Sequence, residues 1–368
     1  MAGPDRILFV PPVHWNYYPY RDQELPAALA RKGYECIYLN PVAYRGSENA
    51  GRFRALNPRV KPPGLHIVDR SSRLRKSFLE LLAENVRNAR ALHHYHPDAV
   101  ISTDHLMSAF LCLACRRKGI PFIFDVTDNW ELVDSSVAGR LYKWIIKGLL
   151  GRRSYAITCS SQQQFDYFKR KNQRSYLIPN AINPALLARL DALSSVTPDR
   201  AEVNFIGSLR DWYNFELLID VFSHFPSLTL NIWGDGPLLP GLKTRTAAIP
   251  NIHCHGSIPN DQSAELLKRS LFGILPLHLN ELNQSTCPIK LFDYWGASKA
   301  VISTPVKEVK RLGGSDILYA ESRSEFIQAI KKLLDDKTLR LAMGRAGRKK
   351  IDEAHNYQHI TREFIQIL

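Results

Sequence analysis

PLHLNELNQSTCPIKLFDYWGASKAVIST, residues 276–304, carries the reading from which the fold follows. The apolar run leading into it, residues 272–277, has the length and composition of a strand. A polar loop comes next. Pro288 then opens a helix, because the N–H that proline lacks is one a first turn leaves unpaired. A second apolar run, residues 300–304, reads as another strand. Strand, loop, helix and strand make a βαβ unit whose loop delivers the chain to a helix N-terminus. Such an end points N–H groups and a partial positive charge outward, which suits a phosphate. Lys290 on the first turn adds a full charge, and Asp293, nearly one turn on, can accept both hydroxyls of a ribose. One helix end thus combines the elements of a nucleoside-diphosphate site.

The same alternation runs through the rest of the chain. In the first half, strands are predicted at residues 6–11, 34–40, 65–69, 99–102, 122–126, 156–159 and 176–178. Helices are predicted at 24–31, 77–94, 106–118, 136–150 and 163–171. In the second half, strands fall at 203–206, 228–233, 252–255, 272–277, 300–304 and 317–319, with helices at 215–222, 262–269, 288–295 and 324–334. A last helical pattern, 355–368, has apolar positions at Ile360, Phe364, Ile365 and Leu368. Alternating strands and helices predict an α/β protein with two doubly wound, Rossmann-like parallel sheets. The Pro-, Ala- and Ser-rich stretch after residue 178 reads as their connection. The expected organisation is a first domain at 1–180, a linker at 181–201, a second domain at 202–352 and a terminal helix at 353–368 that crosses back to the first. Such sheets bind ligands at the carboxyl ends of their strands, so the expected site is a cleft facing both.

A chain of 368 residues is long enough for two such domains, and 45% hydrophobic with 23% charged residues describes a globular, soluble protein. No apolar run is long enough to span a membrane. The opening MAGPDRILFV reads directly as a strand, without the basic and apolar regions of a secretory signal. The six cysteines read as reduced core residues of a cytoplasmic protein. Cys112 and Cys115 form a C-x2-C, but within an apolar helix and without a second pair at zinc spacing, so no metal is expected. The net charge of +14 is lopsided. Residues 1–190 carry 28 Lys+Arg against 15 Asp+Glu, a net of +13, and residues 191–368 carry 21 against 20. Residues 45–76 and 140–174 each hold nine basic side chains, against two acidic in the first and one in the second. Such a field attracts anionic lipid or nucleic acid.

Four loops of the second half follow predicted strands. The first, Gly207-Ser208-Leu209-Arg210, offers a close backbone approach at Gly207 and a bidentate phosphate ligand in Arg210. The second, Gly234-Asp235-Gly236-Pro237, is a tight turn, a common pattern by itself. The third, Gly256-Ser257-Ile258-Pro259, precedes an Asn260-Asp261 cap and has backbone groups able to read a base edge. The fourth is the loop of residues 276–288. In the first half, Asp104 and His105 follow one strand, and Asp125, Asp128 and Asn129 follow another. A His or Asp there can serve as a base or hold a sugar hydroxyl, and any one of these residues can simply cap a helix. Arg21 can meet an anionic group or cap its loop.

Taken in order, these segments resemble a known family. Trp15, Asn16, Arg21 and Gln23 come first, then AALARKGYECIYLNP, FDVTDNW, and Leu-Ile-Pro-Asn at 177–180. GSLRDWYNFELL, GDGP and PIKLFDYWGASKAVIST follow. The whole is similar to a GT-B glycosyltransferase of the family 4 type, of the branch found in teichuronic-acid, capsule and exopolysaccharide synthesis. The resemblance is strongest at the donor pattern Pro-x-Lys-x-(Phe/Tyr)-(Glu/Asp)-Tyr-x-(Ala/Gly), matched from Pro288 to Gly296. It implies transfer of a sugar from a UDP- or GDP-sugar to a glycan, lipid-linked or small-molecule acceptor. It also implies that Asp293 holds the ribose, that Lys290 and Arg210 balance the diphosphate, and that Ser285 and Thr286 hold phosphate or sugar oxygens. Gly207, Ser208, Gly234, Ser257 and Ile258 would complete the donor site. Asp104, His105 or Asp128 would face the sugar or the acceptor as catalytic residues.

The sequence departs from that pattern in three places. The family's paired-Glu motif would put its first Glu at 285, where Ser stands. The Lys common after the Gly-x-Leu loop is missing from Asp211-Trp212-Tyr213-Asn214. Asp replaces Glu at 293. No Asp-x-Asp occurs, so the expected chemistry is metal-independent and cofactor-free, with Lys, Arg and a helix dipole assisting the leaving group. GRLYKWIIKGLLGRR, residues 139–153, spaces Arg140, Lys143 and Lys147 helically beside Trp144, Ile145 and Leu149. That pattern suits a helix on an anionic membrane face, placing the protein peripherally at the inner leaflet, or a core helix with a solvated basic side. Rival readings are a nucleotide-sugar epimerase of the same fold, which needs no acceptor, a non-catalytic assembly partner, and a nucleic-acid binder. The last lacks any recognised nucleic-acid module, so no nucleic-acid partner is expected.

Overall fold

The computed structural model describes residues 5–16, 20–41, 61–69, 78–104, 106–127, 137–193, 201–258 and 262–368. It divides into two compact units, residues 1–179 with 357–368, and residues 180–356.

In the first unit the chain runs β1 (Arg6–Val10), α1 (Arg21–Ala30), β2 (Glu35–Leu39), β3 (Leu65–Val68), α2 (Phe78–Tyr95), β4 (Ala99–Ser102), α3 (Ala109–Lys118), β5 (Phe122–Val126), α4 (Val137–Arg153), β6 (Ala156–Cys159), α5 (Gln162–Lys169) and β7 (Ser175–Leu177). The strands form one parallel sheet in the order β3-β2-β1-β4-β5-β6-β7. Strand order reverses between β1 and β4, and ligands of doubly wound sheets bind at such a switch point. Helices cover both faces, so β4, β5 and β6 are buried throughout, including their polar residues Ser102, Asp125 and Thr158. Cys112 and Cys115 lie buried in this core, and burial pushes their thiols up to about 11 and about 12, as suits inert core residues.

The second unit begins with α6 (Pro184–Ala192), then β8 (Glu202–Ile206), α7 (Phe215–Phe222), β9 (Thr229–Trp233), α8 (Leu239–Thr246), β10 (Ile252–Gly256), α9 (Ser263–Arg269) and β11 (Gly273–Leu275). It continues with α10 (Glu281–Gln284), α11 (Ile289–Gly296), β12 (Val301–Ser303), α12 (Lys307–Gly313), β13 (Leu318–Tyr319), α13 (Arg323–Asp335) and α14 (Lys337–Glu353). The final helix, α15 (Tyr357–Ile367), packs on α1 of the first unit, to which it belongs. Two three-stranded parallel sheets, β10-β9-β8 and β11-β12-β13, meet where β8 runs beside β11.

Several elements differ from the sequence reading. Pro184–Ala192 is helical rather than connecting loop, started by Pro184 and by Asn183, whose side chain accepts the Leu186 N–H at 2.9 Å. Helix α1 begins at Arg21, earlier than expected. Helix α14 was not expected at all. Its inner face presents Gly344 and Gly347, and glycine adds nothing to an apolar periodicity. A Cβ at 347 would stand 2.1 Å from Trp295, and one at 344 would stand 2.1 Å from the Ser298 carbonyl oxygen. The glycines therefore let α14 press directly onto α11. Most of the basic stretch at 45–76, together with Asn129 and Pro259 to Asp261, lies outside the described residues.

Candidate functional site

The loops after β8, β9, β10 and β11 leave the carboxyl ends of their strands and interlock mainly through backbone. The Gly207 N–H donates to the Trp233 carbonyl at 2.9 Å, Leu209 N–H to Asp235 at 2.9 Å, and Gly234 N–H to Gly256 at 2.8 Å. Gly234 and Gly236 have φ of 144° and 157°, and a Cβ on either would fall within 2.3 Å of the Gly207 or Leu209 carbonyl oxygen. Only glycine fits at these two positions. The common-looking GDGP turn is thus required by its neighbour.

The fourth loop is tied in by Asn283. This buried side chain donates to the carbonyls of Trp212 and His278, both at 2.8 Å. No pattern in the sequence marks Asn283, since its partners lie in a distant loop. Helix α10 sits within this loop, capped by Asn280, whose side chain accepts the Asn283 N–H at 2.9 Å. Pro288 stands in extended conformation at the N-cap position, immediately before α11, which starts at Ile289.

On α11, Lys290 Nζ donates to Asp293 Oδ2 at 2.9 Å. Asp293 is buried, while the Lys290 side chain keeps a quarter of its surface. The lysine stem lies across Gly207, where a Cβ would come within 2.8 Å of Lys290 Cε. Gly207, predicted from the loop after β8, is therefore brought together with Lys290 and Asp293 of α11. The Tyr213 phenol is pushed well above its usual range by burial first and by the Asp293 carboxylate second. Tyr213 thus backs this site, a role that sequence reasoning missed. Arg210 is exposed with its guanidinium 5.6 Å from the Trp212 ring centroid, and Ser208 is half-buried in the same loop. Ser257 is exposed and Ile258 half-buried just past Gly256.

Ser285 and Thr286 depart from expectation. Ser285 is fully buried, and both hydroxyls donate to the Leu282 carbonyl, at 2.8 and 2.9 Å. They close the turn after α10, and their protons are already committed to it. The missing Glu at 285 is thus replaced by a buried turn residue.

In the first unit, Asp104 is buried, and its Oδ1 accepts the N–H groups of Leu106 and Met107 at 2.9 and 3.0 Å. It caps a turn, one of the alternatives open from sequence. His105 and Asp128 lie outside the described residues. Arg21 makes a buried bidentate pair with Asp125 at 2.8 and 2.9 Å and donates to the carbonyls of Ile178 and Pro179. It meets an anionic group, but one of the protein's own. Gln23 fixes the preceding loop by donating to the His14 carbonyl and accepting from the Tyr20 N–H. A shallow recess lies at the switch point, with Val10, Pro11, Asp22, Pro26, Thr103 and Asp125 in its wall. The Thr103 hydroxyl donates to Asp22 at its edge.

Residues 22–181 match the family described as glycosyl transferase 4-like domain, and residues 210–366 match the family described as glycosyl transferase-like. TuaH of Bacillus subtilis (strain 168), whose name assigns it to teichuronic acid biosynthesis as a glycosyltransferase, is 22% identical over 235 residues. That match takes in 58% of this chain and spans 58% of the relative's length. Sucrose-phosphate synthase from Thermosynechococcus elongatus shares the fold with a TM-score of 0.78 at 13% identity, covering 99% of this chain and 98% of that one. Anabaena HepE, solved with UDP-glucose, has a TM-score of 0.71 at 12% identity, covering 98% of each chain. WaaG, a glycosyltransferase of lipopolysaccharide biosynthesis, has a TM-score of 0.69 at 14% identity, covering 98% of this chain and 99% of that one. At such identities these structures speak for the fold.

Proposed function

Because the chain belongs to the GT-B glycosyltransferases, with a family 4-like N-terminal part, we propose that it moves a sugar from a nucleoside-diphosphate sugar to a hydroxyl acceptor. The observation that carries this reading is the Lys290–Asp293 pair on the first turns of α11, lying across Gly207. The lysine and the carboxylate pair with each other at 2.9 Å. A bound donor would exchange both partners, with ribose hydroxyls donating to Asp293 and diphosphate oxygens taking Lys290.

Transfer breaks the bond between the anomeric carbon and the diphosphate, and negative charge builds on the departing phosphate oxygen. Lys290, Arg210 and the positive end of α11 are the groups proposed to stabilise it, with no metal required. Ser208, Gly234, Ser257 and Ile258 supply backbone and small side chains around the nucleotide. Ser285 and Thr286 would contribute through the shape of their turn. Since Asp104 already serves a turn, His105 and Asp128 are the stronger proposals for contacting acceptor or sugar. The UDP-glucose held by HepE makes UDP-sugars the first donors to try, ahead of GDP-sugars. The relatives' links to teichuronic acid and lipopolysaccharide support a glycan or lipid-linked acceptor. Among the described residues no helix is long and apolar enough to cross a membrane, so we place any membrane contact at a peripheral face.

A thermal-shift screen of UDP, GDP and their sugars tests the reading. A ligand at a hundred times its Kd should stabilise the protein by about 2.7 kcal/mol. Lys290→Ala should lose that shift. A variant that keeps it removes Lys290 from the site and overturns the assignment.

A further inference from the structure

We propose that the side-chain oxygen of Asn180 receives a hydroxyl of the sugar carried by the nucleotide donor. The assignment rests on the glycosyltransferase reading and extends its site from the diphosphate to the transferred group.

Asn180 is only 7% exposed. Its Nδ2 donates to the Cys287 carbonyl at 2.9 Å. Its Oδ1 is buried as well and meets no donor among the described residues. The two ends of this carboxamide cannot be exchanged. Turned over, the oxygen would face the Cys287 carbonyl oxygen, and two acceptors repel each other. The bond to Cys287 thus decides which end is left over, and that end can only accept. Bracing the 287 carbonyl uses the donor half alone. A buried acceptor without a partner works against the fold, so its presence calls for a partner that arrives with a ligand.

The neighbours of Asn180 hold that acceptor in place. Ala181 and Ile182 are buried, and the Ile182 N–H donates to the His355 carbonyl at 3.1 Å. Ile182 also packs on Gly296, where a Cβ would come within 2.1 Å of Ile182 Cδ1. Asn183 then caps α6. This segment therefore grips α11 near both ends, with Asn180 just before its first turn and Ile182 at its last residue. An oxygen fixed in this way accepts a hydrogen bond with little further loss of side-chain freedom.

Position along α11 selects the partner. On the donor reading, Asp293 takes the ribose and Lys290, three residues earlier, takes the diphosphate. Cys287 lies three residues earlier again, on the phosphate side of the helix end. A donor laid along this line brings its sugar beside residue 287. Diphosphate oxygens carry no proton to give Asn180, whereas every sugar hydroxyl can donate one. The hydroxyls of Ser285 and Thr286 are turned to the Leu282 carbonyl instead. The chemistry that fits Asn180 is thus a hydroxyl-bearing ring joined to a phosphate, which describes the hexose of a nucleotide sugar.

Titration of the full chain with UDP and with UDP-glucose tests the assignment. Asn180→Leu keeps the shape of the side chain but removes its oxygen. In that variant the affinity for UDP-glucose relative to UDP should fall about tenfold. Asn180→Asp retains an acceptor oxygen and should keep the wild-type ratio. The thermal shift with UDP shows that each variant folds. An unchanged ratio in Asn180→Leu overturns the assignment, whether both affinities drop together or neither moves. The side chain would then only brace the loop or hold a water. Loss of the ratio in Asn180→Asp overturns it as well, because the preference would then come from the brace to Cys287. A wild-type chain that binds neither UDP nor UDP-glucose removes the donor site and this assignment with it. UDP binding that Lys290→Ala abolishes, with an unchanged ratio in Asn180→Leu, keeps the donor site and removes the assignment alone.

Discussion

At Gly207 the absence of a side chain decides where a charge sits. The Lys290 stem crosses the space a Cβ would fill, 2.8 Å from Cε, and the ammonium reaches Asp293. The backbone at 207 is not in the left-handed region, so alanine is tolerated there conformationally. The obstructed atom is near the end of a flexible side chain, which can swing away. Gly207→Ala should therefore keep stability within about 0.5 kcal/mol while weakening UDP binding roughly tenfold, about 1.4 kcal/mol. Paired denaturant and titration experiments check this; a variant that loses stability in step with affinity would show that Gly207 serves folding instead. Sequence spacing placed Lys290 and Asp293 together, because both lie on one helix. It could not show that residue 207 lies beneath that lysine.

At the scale of elements, α11 is held from behind by α14. Trp295 is fully buried, and Gly347 gives it room. The Lys350 ammonium stands 5.4 Å from the Trp295 ring centroid, and Arg348 donates to the Gly296 carbonyl. Trp295 cannot move aside as a surface lysine can. Gly347→Ala should thus cost about 1–3 kcal/mol by overpacking. It should also weaken the UDP-induced thermal shift, because displacement of α11 moves Lys290 with it. Wild-type stability in this variant would show that α14 is loosely apposed. This helix was illegible in the sequence because its contact face is built from glycine, whereas α7, with Phe215, Leu218, Ile219 and Phe222 on its buried side, was plain.

At the scale of the whole molecule, Arg21 joins segments far apart in the chain. Its guanidinium pairs with Asp125 on β5, binds the carbonyls at 178 and 179, and stands 5.2 Å from the Phe364 ring centroid on α15. Thr158 on β6 donates to the same carboxylate at 2.6 Å. Both charges are buried, at 3% and 1% exposure, so removing one strands the other in a low-dielectric interior. Arg21→Met should cost about 3–5 kcal/mol, and the double change R21M/D125N should cost less than the sum of its single changes. Hydrogen exchange should place the loss in β5 and β6. A loss below about 1 kcal/mol, the range of an exposed pair, would sink this account.

The sequence by itself determined the alternation of strands and helices, the two parallel-sheet units, and the helix that bears Lys290 and Asp293. These follow from apolar periodicity and caps, which are local. Only the tertiary structure decided which polar groups are already committed. Arg21 answers Asp125, Asp104 caps a turn, and Ser285 and Thr286 close another around the Leu282 carbonyl. It alone showed that Gly207 lies under Lys290, that Gly347 makes room for Trp295, and that Leu141, Trp144 and Ile145 face outward. The physical reason is range. Burial patterns repeat within a few residues, but a hydrogen-bond partner or a close backbone approach belongs to a segment that only the folded chain brings near.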